Sequence, residues 1–166
     1  STHVSESNTA SLTISSPEAM RAFGERLGRA LLSKPRPAPC IGFEGDLGAG
    51  KTTLVAGVLA AAGVRGPVRS PTYTLIEPYV FEQATIHHLD LYRVVDPEEI
   101  EPLGLRDLLV PGSILLIEWP SRGGALLPTL DLEVHIHYLD GTETGRAVEL
   151  RGKTALGTAL LAELLA

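Results

Sequence analysis

The residues most suited to chemistry form one stretch that fits the phosphate-loop pattern G-x-x-x-x-G-K-[ST]. That stretch is Gly45-Asp46-Leu47-Gly48-Ala49-Gly50-Lys51-Thr52. An apolar segment at 40–43 precedes it, and a helix-forming run at 53–60 follows it. The glycines let the backbone bend so that successive N–H groups point at phosphate oxygens, and the positive end of the next helix adds to the attraction. The sequence therefore predicts a nucleotide-binding loop between a strand and a helix.

Side-chain types assign roles within this loop. Lys51 is expected to reach the β- and γ-phosphates, and the Thr52 hydroxyl is expected to hold Mg²⁺. The residues expected to contact the nucleotide here are Asp46, Leu47, Gly48, Ala49, Gly50, Lys51, Thr52 and Thr53.

A phosphate-bound Mg²⁺ usually needs an acidic residue at the end of another buried strand. Two residues fit: Glu118 follows the apolar run 114–117, and Asp90 ends a strand-like stretch at 84–89. We predict that Glu118 is the metal-side acid, acting directly or through water. Asp90 is predicted to polarise the attacking water or to bond the loop that senses the nucleotide. Either carboxylate could instead cap a neighbouring helix.

The elements that must position these residues alternate between helices and strands. Helices are predicted at 17–32, after the phosphate loop, from Asp96 onward and at 154–166. The first begins with Ser16 as N-cap, or with Ser15 paired to Glu18 as a capping box. Strands are predicted at 12–14, 40–43, 84–92, 114–117, 130–138 and 147–150, the last two paired across a turn.

These elements predict an α/β fold of the P-loop NTPase type. It has three layers, a mostly parallel central sheet and added antiparallel strands near the C-terminus. The 166 residues are expected to form a flexible polar tail over 1–10 and a single P-loop ATPase domain over 11–166.

Composition excludes several classes of protein. Hydrophobic residues make up 44% of the chain, which argues against disorder, and no apolar run approaches the ~20 residues of a membrane span. The polar N-terminus lacks a signal-peptide layout, and the lone Cys40 suits a reducing compartment, so we expect a cytoplasmic protein. A net charge of −6 with three lysines disfavours direct nucleic-acid binding and leaves a role through a protein partner open.

Two histidine pairs are weaker metal candidates. His87 and His88 are adjacent in a strand and therefore point to opposite faces. His135 and His137 share one face of a later strand, but no cysteine or further acid is patterned around them. The pattern favours packed or capped histidines over metal ligands.

Four motifs together resemble the TsaE (YjeE) family, the ATPase component of bacterial tRNA threonylcarbamoyladenosine synthesis. They are Gly-Asp-Leu-Gly-Ala-Gly-Lys-Thr-Thr at 45–53, Ser-Pro-Thr-Tyr-Thr-Leu at 70–75, His-Leu-Asp-Leu-Tyr-Arg at 88–93 and Ile-Glu-Trp-Pro at 117–120. The resemblance is strong over about 42–128 and weak in the flanks.

The resemblance implies a small Mg²⁺-dependent ATPase, slow by itself, that docks on the TsaB–TsaD complex. TsaD transfers the threonylcarbamoyl group to adenosine 37 of tRNAs, and ATP hydrolysis resets the complex between turnovers. The implied cofactors are ATP and Mg²⁺, and the implied partner is TsaB–TsaD. The chain would contact tRNA only indirectly, would not bind membranes and would be monomeric when free.

The resemblance also implies roles for individual residues. Ser70, Pro71, Thr72 and Tyr73 match a switch-type loop that senses the γ-phosphate. Thr52 and Glu118 match the Mg²⁺ residues, while Lys51, Asp90 and Glu118 form the catalytic set. Trp119 matches a position needed for activity or nucleotide response. Ser16 should lie near the adenine, and Arg146 should approach the nucleotide.

The chain departs from the family pattern at two places. Met20 stands where a threonine is expected in the first helix, and Ser121-Arg122 follows Trp-Pro where acidic or amide side chains are more common. We assign no role to Arg122.

Three other classes of nucleotide-binding protein share a phosphate loop: GTPases, small-molecule kinases and ATP-binding modules. A GTPase is excluded because guanine recognition commonly uses an Asn-Lys-x-Asp segment, and the only asparagine is Asn8. A small-molecule P-loop kinase is the main alternative, but it would need an acceptor pocket and an arginine-bearing lid, and the arginines here are scattered. A binding module that holds ATP without hydrolysing it is the third class.

Overall fold

The structure, a computed structural model, describes residues 2–6, 8–71 and 73–166, the first of these segments by its backbone alone. The strands are β1 (Thr2–Glu6), β2 (Thr9–Ile14), β3 (Cys40–Gly45), β4 (Ile76–Val80), β5 (Thr85–Asp90), β6 (Ser113–Glu118), β7 (Leu132–Tyr138) and β8 (Arg146–Gly152). The helices are α1 (Pro17–Leu32), α2 (Lys51–Ala62) and α3 (Ala155–Leu165). No helix in these segments is both long and apolar enough to cross a bilayer.

All the strands belong to one sheet in the order β1-β2-β8-β7-β3-β6-β5-β4. The four central strands, β7, β3, β6 and β5, run parallel to one another. The flanking pairs are antiparallel. The predicted α/β fold with a parallel centre and an antiparallel β7–β8 pair is confirmed. Antiparallel strands are also added from the N-terminus.

The two faces of the sheet are covered differently. All three α-helices contribute to the core on one face, where Leu27, Leu54 and Leu160 are fully buried with the side chains of the strands. The other face is covered mainly by loops and short 3-10 helices around a second cluster that includes Leu91, Ile100 and Ile117. The third layer of the fold is therefore built from short turns rather than α-helices.

The predicted polar tail over 1–10 is wrong as an element boundary. Residues 2–6 form β1, and β2 begins at Thr9 and pairs with β8 along its whole length. Ala10 and Ile14 are buried at alternate positions of β2, so this strand is part of the core. Tertiary pairing with β8 fixes a segment that looks too polar to fold by itself.

Local capping explains where the helices begin. Ser16 is the N-cap of α1 and accepts a hydrogen bond from the Ala19 N–H at 3.1 Å, and Pro17 occupies the first turn. The predicted helix after Asp96 has its capping box but is a 3-10 helix over Pro97–Leu103. Pro102 lies inside it, and proline removes a donor that an α-helix would need.

Candidate functional site

The phosphate loop connects the end of β3 to the start of α2 through backbone conformations that glycine allows. Gly48 and Gly50 have φ angles of +82° and +119°, which L side chains rarely adopt. A Cβ at Gly50 would also lie 3.3 Å from the Met20 Cε atom. Met20, which departs from the family pattern, is 2% exposed and packs against Gly50 of the loop.

The outer side of the loop is held by residues from the β7–β8 region. The Tyr138 hydroxyl donates to the Leu47 carbonyl at 2.7 Å, and Arg146 Nε donates to the Ala49 carbonyl at 3.0 Å. The Arg146 guanidinium carbon lies 4.6 Å from the centroid of the Tyr138 ring. These contacts hold two carbonyls of the loop in place.

Lys51 lies at the base of the loop and is only 5% exposed. Its Nζ donates to the Gly45 carbonyl and, at 2.9 Å, to the Asp46 carbonyl. Nζ also lies 4.4 Å from the centroid of the Trp119 ring. Burial lowers the pKa of Lys51 below its ordinary value, opposed by nearby carboxylates of which Glu118 is the strongest. The loop and the indole therefore surround the ammonium group closely.

Asp90 and Glu118 lie side by side because they are register partners at the ends of parallel strands β5 and β6. Phe43 on β3 pairs with Glu118, which brings the same edge of the sheet next to the phosphate loop. The two acidic residues are 5% and 2% exposed. The structure thus brings together the two acidic residues that the sequence singled out.

Thr52 contacts the carboxylate of Glu118 directly. Its Oγ1 lies 3.0 Å from Oε1 and 3.1 Å from Oε2. A hydroxyl has one proton and a carboxylate only accepts, so this contact directs the proton to Glu118 and leaves lone pairs on Oγ1 for a cation. Hard oxygen donors of this kind suit Mg²⁺. The described segments contain no group of three or more His, Cys, Asp and Glu side chains that could hold a metal ion.

The loop at 70–75 is fastened to both acidic residues. The Ser70 hydroxyl donates to Asp90 Oδ2 and lies 3.3 Å from Glu118 Oε2. Asp90 Oδ1 accepts from the Tyr92 N–H at 3.0 Å, and the Asp90 N–H donates to the Leu75 carbonyl at 3.0 Å. The predicted switch loop therefore packs against the predicted catalytic residues.

The remaining residues of that loop have separate positions. The Pro71 carbonyl accepts from the Leu75 N–H at 2.8 Å, and Leu75 has a φ of +68°. Tyr73 is 83% exposed, and the Arg93 guanidinium carbon lies 4.7 Å from the centroid of its ring. Thr72, the residue expected to sense the γ-phosphate, lies outside the described residues.

A cleft of about 340 Å³ opens between the phosphate loop and the two acidic residues. Its lining consists of Leu47, Gly48, Gly50, Lys51, Thr52, Thr53, Ser70, Asp90, Tyr92, Arg93, Glu118 and Trp119. The cleft therefore combines loop backbone, one buried amine, two buried carboxylates and an aromatic wall. Such a set of groups suits a phosphate chain with a divalent cation.

Comparison with known proteins places the chain in a family. A protein-family model described as "Threonylcarbamoyl adenosine biosynthesis protein TsaE" matches residues 14–148. The chain belongs to the TsaE family. The tRNA threonylcarbamoyladenosine biosynthesis protein TsaE of Haemophilus influenzae is 45% identical over 140 residues, covering 84% of this chain and 87% of the relative. The protein of the same name from Rickettsia bellii is 37% identical over 117 residues, covering 70% and 81%.

A solved structure supports the fold. YdiB of Bacillus subtilis matches with a TM-score of 0.77 at 24% sequence identity, covering 98% of this chain and 97% of that one. The family model and the two relatives confirm the resemblance to the TsaE family that four motifs predict.

Four of the predicted nucleotide contacts lie outside the cleft lining. They are Asp46, Ala49, Ser16 and Arg146. Ala49 is buried, Ser16 caps α1, and Arg146 reaches the loop from the β8 side. Their contacts with a nucleotide remain predictions for this member of the TsaE family.

The aromatic wall of the cleft contains Trp119 and also Tyr92, for which the sequence predicts no role. The rings of Tyr92 and Trp119 lie 5.1 Å apart between centroids. Arg122 Nη1 donates to the Tyr92 carbonyl at 2.7 Å, and its guanidinium carbon lies 5.2 Å from the Trp119 ring centroid. Tyr92 and Arg93 belong to the TsaE motif at 88–93, which was the available signal for them.

The contacts of His135, His137 and Cys40 favour structural roles for these side chains. His135 Nε2 lies 3.1 Å from a Glu133 oxygen, and His137 Nε2 lies 3.6 Å from a Glu149 oxygen, so each has a different acidic partner. Burial, reinforced by the charge of Asp131, raises the pKa of the Cys40 thiol to about 12. A thiol of that pKa is a poor nucleophile at neutral pH.

Proposed function

We propose that this chain is the Mg²⁺-dependent, ATP-hydrolysing component of tRNA threonylcarbamoyladenosine formation. It would act by docking on the TsaB–TsaD complex and resetting it. The contact between Thr52 and Glu118 at the end of a phosphate loop carries the proposal. A hydroxyl oriented by a buried carboxylate beside a phosphate loop is the arrangement that P-loop NTPases use for Mg²⁺.

Different residues of the site would bind the phosphates, the metal ion and the adenosine. The loop backbone and Lys51 would bind the phosphates, Lys51 exchanging its two carbonyl partners for phosphate oxygens. Thr52 and Glu118 would hold Mg²⁺, which when bound offsets phosphate charge and favours the leaving of ADP. Ser16 and Arg146 would contact the adenosine side of the nucleotide.

Asp90 is the residue we assign to the attacking water. Its Oδ2 accepts from Ser70, so movement of the loop at 70–75 would free this oxygen to accept from water instead. Water would attack the γ-phosphorus and the bond to the ADP oxygen would break, giving ADP, phosphate and a proton. The close contact of Asp90 with the loop supports coupling of hydrolysis to loop position.

The first test is loss of the phosphate-facing charge. Lys51→Ala is expected to abolish measurable ATP binding by calorimetry, because the buried ammonium is the cation at the base of the loop. Lys34→Ala, at an exposed lysine, is the matched control and should bind as the parent does. Circular dichroism should show that both variants are folded. ATP binding equal to the parent in a folded Lys51→Ala protein would contradict the proposal.

The second test separates the proposed activity from its alternatives. The chain is incubated with Mg²⁺–ATP with and without TsaB–TsaD, and phosphate release is followed. Stimulation by the partner complex supports the proposal. Transfer of the phosphoryl group to a small acceptor would indicate a kinase, and tight ATP binding without phosphate release in either mixture would indicate a binding module.

A further inference from the structure

His88 lies two residues before Asp90 on β5, on the same face of the sheet as Asp90 and Glu118. Ile86, His88 and Asp90 alternate along β5, and Ile86 contributes to the core beneath the helices. In the parallel ladder His88 pairs with Leu116, and Asp90 pairs with Glu118. Glu118 is therefore the diagonal neighbour of His88, within reach of a long side chain.

The imidazole and the carboxylate are in direct contact. His88 Nε2 lies 2.6 Å from Glu118 Oε2, and the two side chains are 0% and 3% exposed. A carboxylate accepts, so the contact places a proton on Nε2, which donates it to Glu118. His88 thus orients one oxygen of the predicted metal-side acid.

Packing alone does not account for a histidine at this position. Its Nδ1 is buried and has no hydrogen-bond partner among the residues that the structure describes. A buried polar atom without a partner destabilises the fold, and an apolar side chain would avoid that cost. Leu116 occupies the paired position on β6 and is fully buried. The contact with Glu118 is what distinguishes histidine from leucine here.

His88 also differs from the other groups that contact Glu118. Thr52 and Ser70 contact the carboxylate through hydroxyls at the cleft, and a hydroxyl can rotate toward other partners. The fully buried imidazole does not line the cleft. It can therefore hold Oε2 in place while the hydroxyls reorganise.

We propose that His88 is a positioning residue for the Mg²⁺ site: it fixes the Glu118 carboxylate so that Oε1 stays directed at Thr52 and the cation. The inference rests on the proposed function, because it assigns Mg²⁺ to Thr52 and Glu118. Residues that orient a metal-side group typically change metal affinity by about 10- to 100-fold when replaced.

The test measures binding rather than turnover. ADP affinity is determined by calorimetry over a series of Mg²⁺ concentrations and in EDTA for the parent, His88→Leu and His88→Gln. Mg²⁺ is expected to increase ADP affinity, and the midpoint of this increase is the Mg²⁺ concentration at which half of it is reached. In His88→Leu this midpoint should be higher than in the parent by about 10-fold or more. The ADP affinity of His88→Leu in EDTA should equal that of the parent. His88→Gln should stay near the parent, because its amide nitrogen can reach the place of Nε2.

Neighbouring and shorter side chains supply the controls. His87→Leu changes the adjacent histidine, which is half-buried on the opposite face, and should match the parent. Thermal unfolding shows whether each variant is folded. If His88→Leu is not, His88→Asn takes its place, since asparagine is too short to bond Glu118 and should show the same raised Mg²⁺ requirement.

The outcomes separate the two proposals. An ADP affinity of the parent that does not depend on Mg²⁺ would overturn the proposed metal site. If ADP affinity of the parent depends on Mg²⁺ and the folded variant without the His88 bond needs the same Mg²⁺ concentration, only the role of His88 is overturned. Loss of ADP affinity in EDTA as well would also overturn it, because that loss would show a general structural effect.

Discussion

Glu118 and Asp90 are neighbours in register, but their hydrogen-bond partners differ. The oxygens of Glu118 meet Thr52 of the phosphate loop and the buried His88. Those of Asp90 meet Ser70 and the backbone of Tyr92. Ser70 contacts both carboxylates, but of the two only Glu118 accepts from Thr52 of the phosphate loop, and only Asp90 accepts from the Tyr92 backbone. This difference supports separate roles for two acidic residues of similar burial.

Conservative amides should separate these roles. Glu118→Gln keeps the shape but removes the charge, so we expect Mg²⁺-dependent hydrolysis to fall by about 100-fold while ADP affinity in EDTA stays near the parent value. Asp90→Asn should keep the Mg²⁺ dependence of ADP binding and lose hydrolysis. Phosphate release in the presence of TsaB–TsaD and calorimetry measure the two effects.

The reverse pattern would show that the two assignments are swapped. In that case Glu118→Gln would hydrolyse ATP at the parent rate, and Asp90→Asn would bind ADP without regard to Mg²⁺. Ser121→Ala, on the strand-end turn but outside the cleft lining, is a control that should change neither property.

At the residue level, the sequence predicts what is local or what lies at strand ends. The Thr52–Glu118 contact was predictable because the carboxyl ends of parallel strands meet at one edge of a sheet. His88 was not, because its contact depends on the register of β5 against β6. The place of Met20 depends on how closely α1 approaches the loop, which no local pattern encodes.

At the scale of elements, helices α1 and α2 pack with their backbones almost touching. A Cβ built on Gly24 would lie 2.1 Å from the Leu54 carbonyl oxygen, and one built on Gly57 would lie 2.1 Å from the Arg21 carbonyl oxygen. The missing side chains let α1 lie close over α2. Since α2 begins at Lys51, this packing also helps to position the end of the phosphate loop.

Gly57→Ala should therefore destabilise the protein despite its better helix propensity. We expect the free energy of unfolding to fall by about 3 kcal/mol, because the added methyl group meets backbone that cannot move by itself. Urea unfolding measures this. Ala60→Ser adds one atom to a half-buried position of the same helix and should cost less than about 1 kcal/mol. Equal stability of Gly57→Ala and the parent would contradict the close packing.

Periodicity and capping predicted most of the elements that surround the site. The 3.6-residue and 2-residue patterns located α1, α3, β7 and β8, with Ser16 as the predicted cap of α1. Only the end of β2 was predicted, at 12–14; its start and β1 were missed because β2 gains its backbone partners from β8, far along the chain. The 3-10 helices of the second face have no strong periodicity of their own, so the sequence could not distinguish them from loops or an α-helix.

At the scale of the molecule, the site and an exposed surface are joined by the loop at 70–75. Ser70 contacts both buried carboxylates, whereas Tyr73, three residues later, is 83% exposed. Leu47, another residue of the cleft lining, is 66% exposed. We therefore expect a change in what Asp90 and Glu118 bind to alter the rim of the cleft. Loops ordered by a γ-phosphate and released after hydrolysis act in this way.

We therefore predict that affinity for TsaB–TsaD differs between the two nucleotide states by at least about 5-fold. A ligand shifts a partner equilibrium only by its differential affinity for two conformations, so the dissociation constants must be compared directly. The partner complex is titrated with the chain bound to Mg²⁺ and either a non-hydrolysable ATP analogue or ADP. Thr72→Ala should reduce the difference, because the family resemblance assigns γ-phosphate sensing to this loop.

Thr74→Ala is the matched control, since it removes the same groups from an exposed position two residues further along the same loop. It should keep the difference between the nucleotide states. Identical dissociation constants for the two states of the parent would remove the switch and leave nucleotide binding without coupling. A difference that Thr72→Ala leaves intact would instead move the coupling to Ser70, whose hydroxyl contacts Asp90 and Glu118 together.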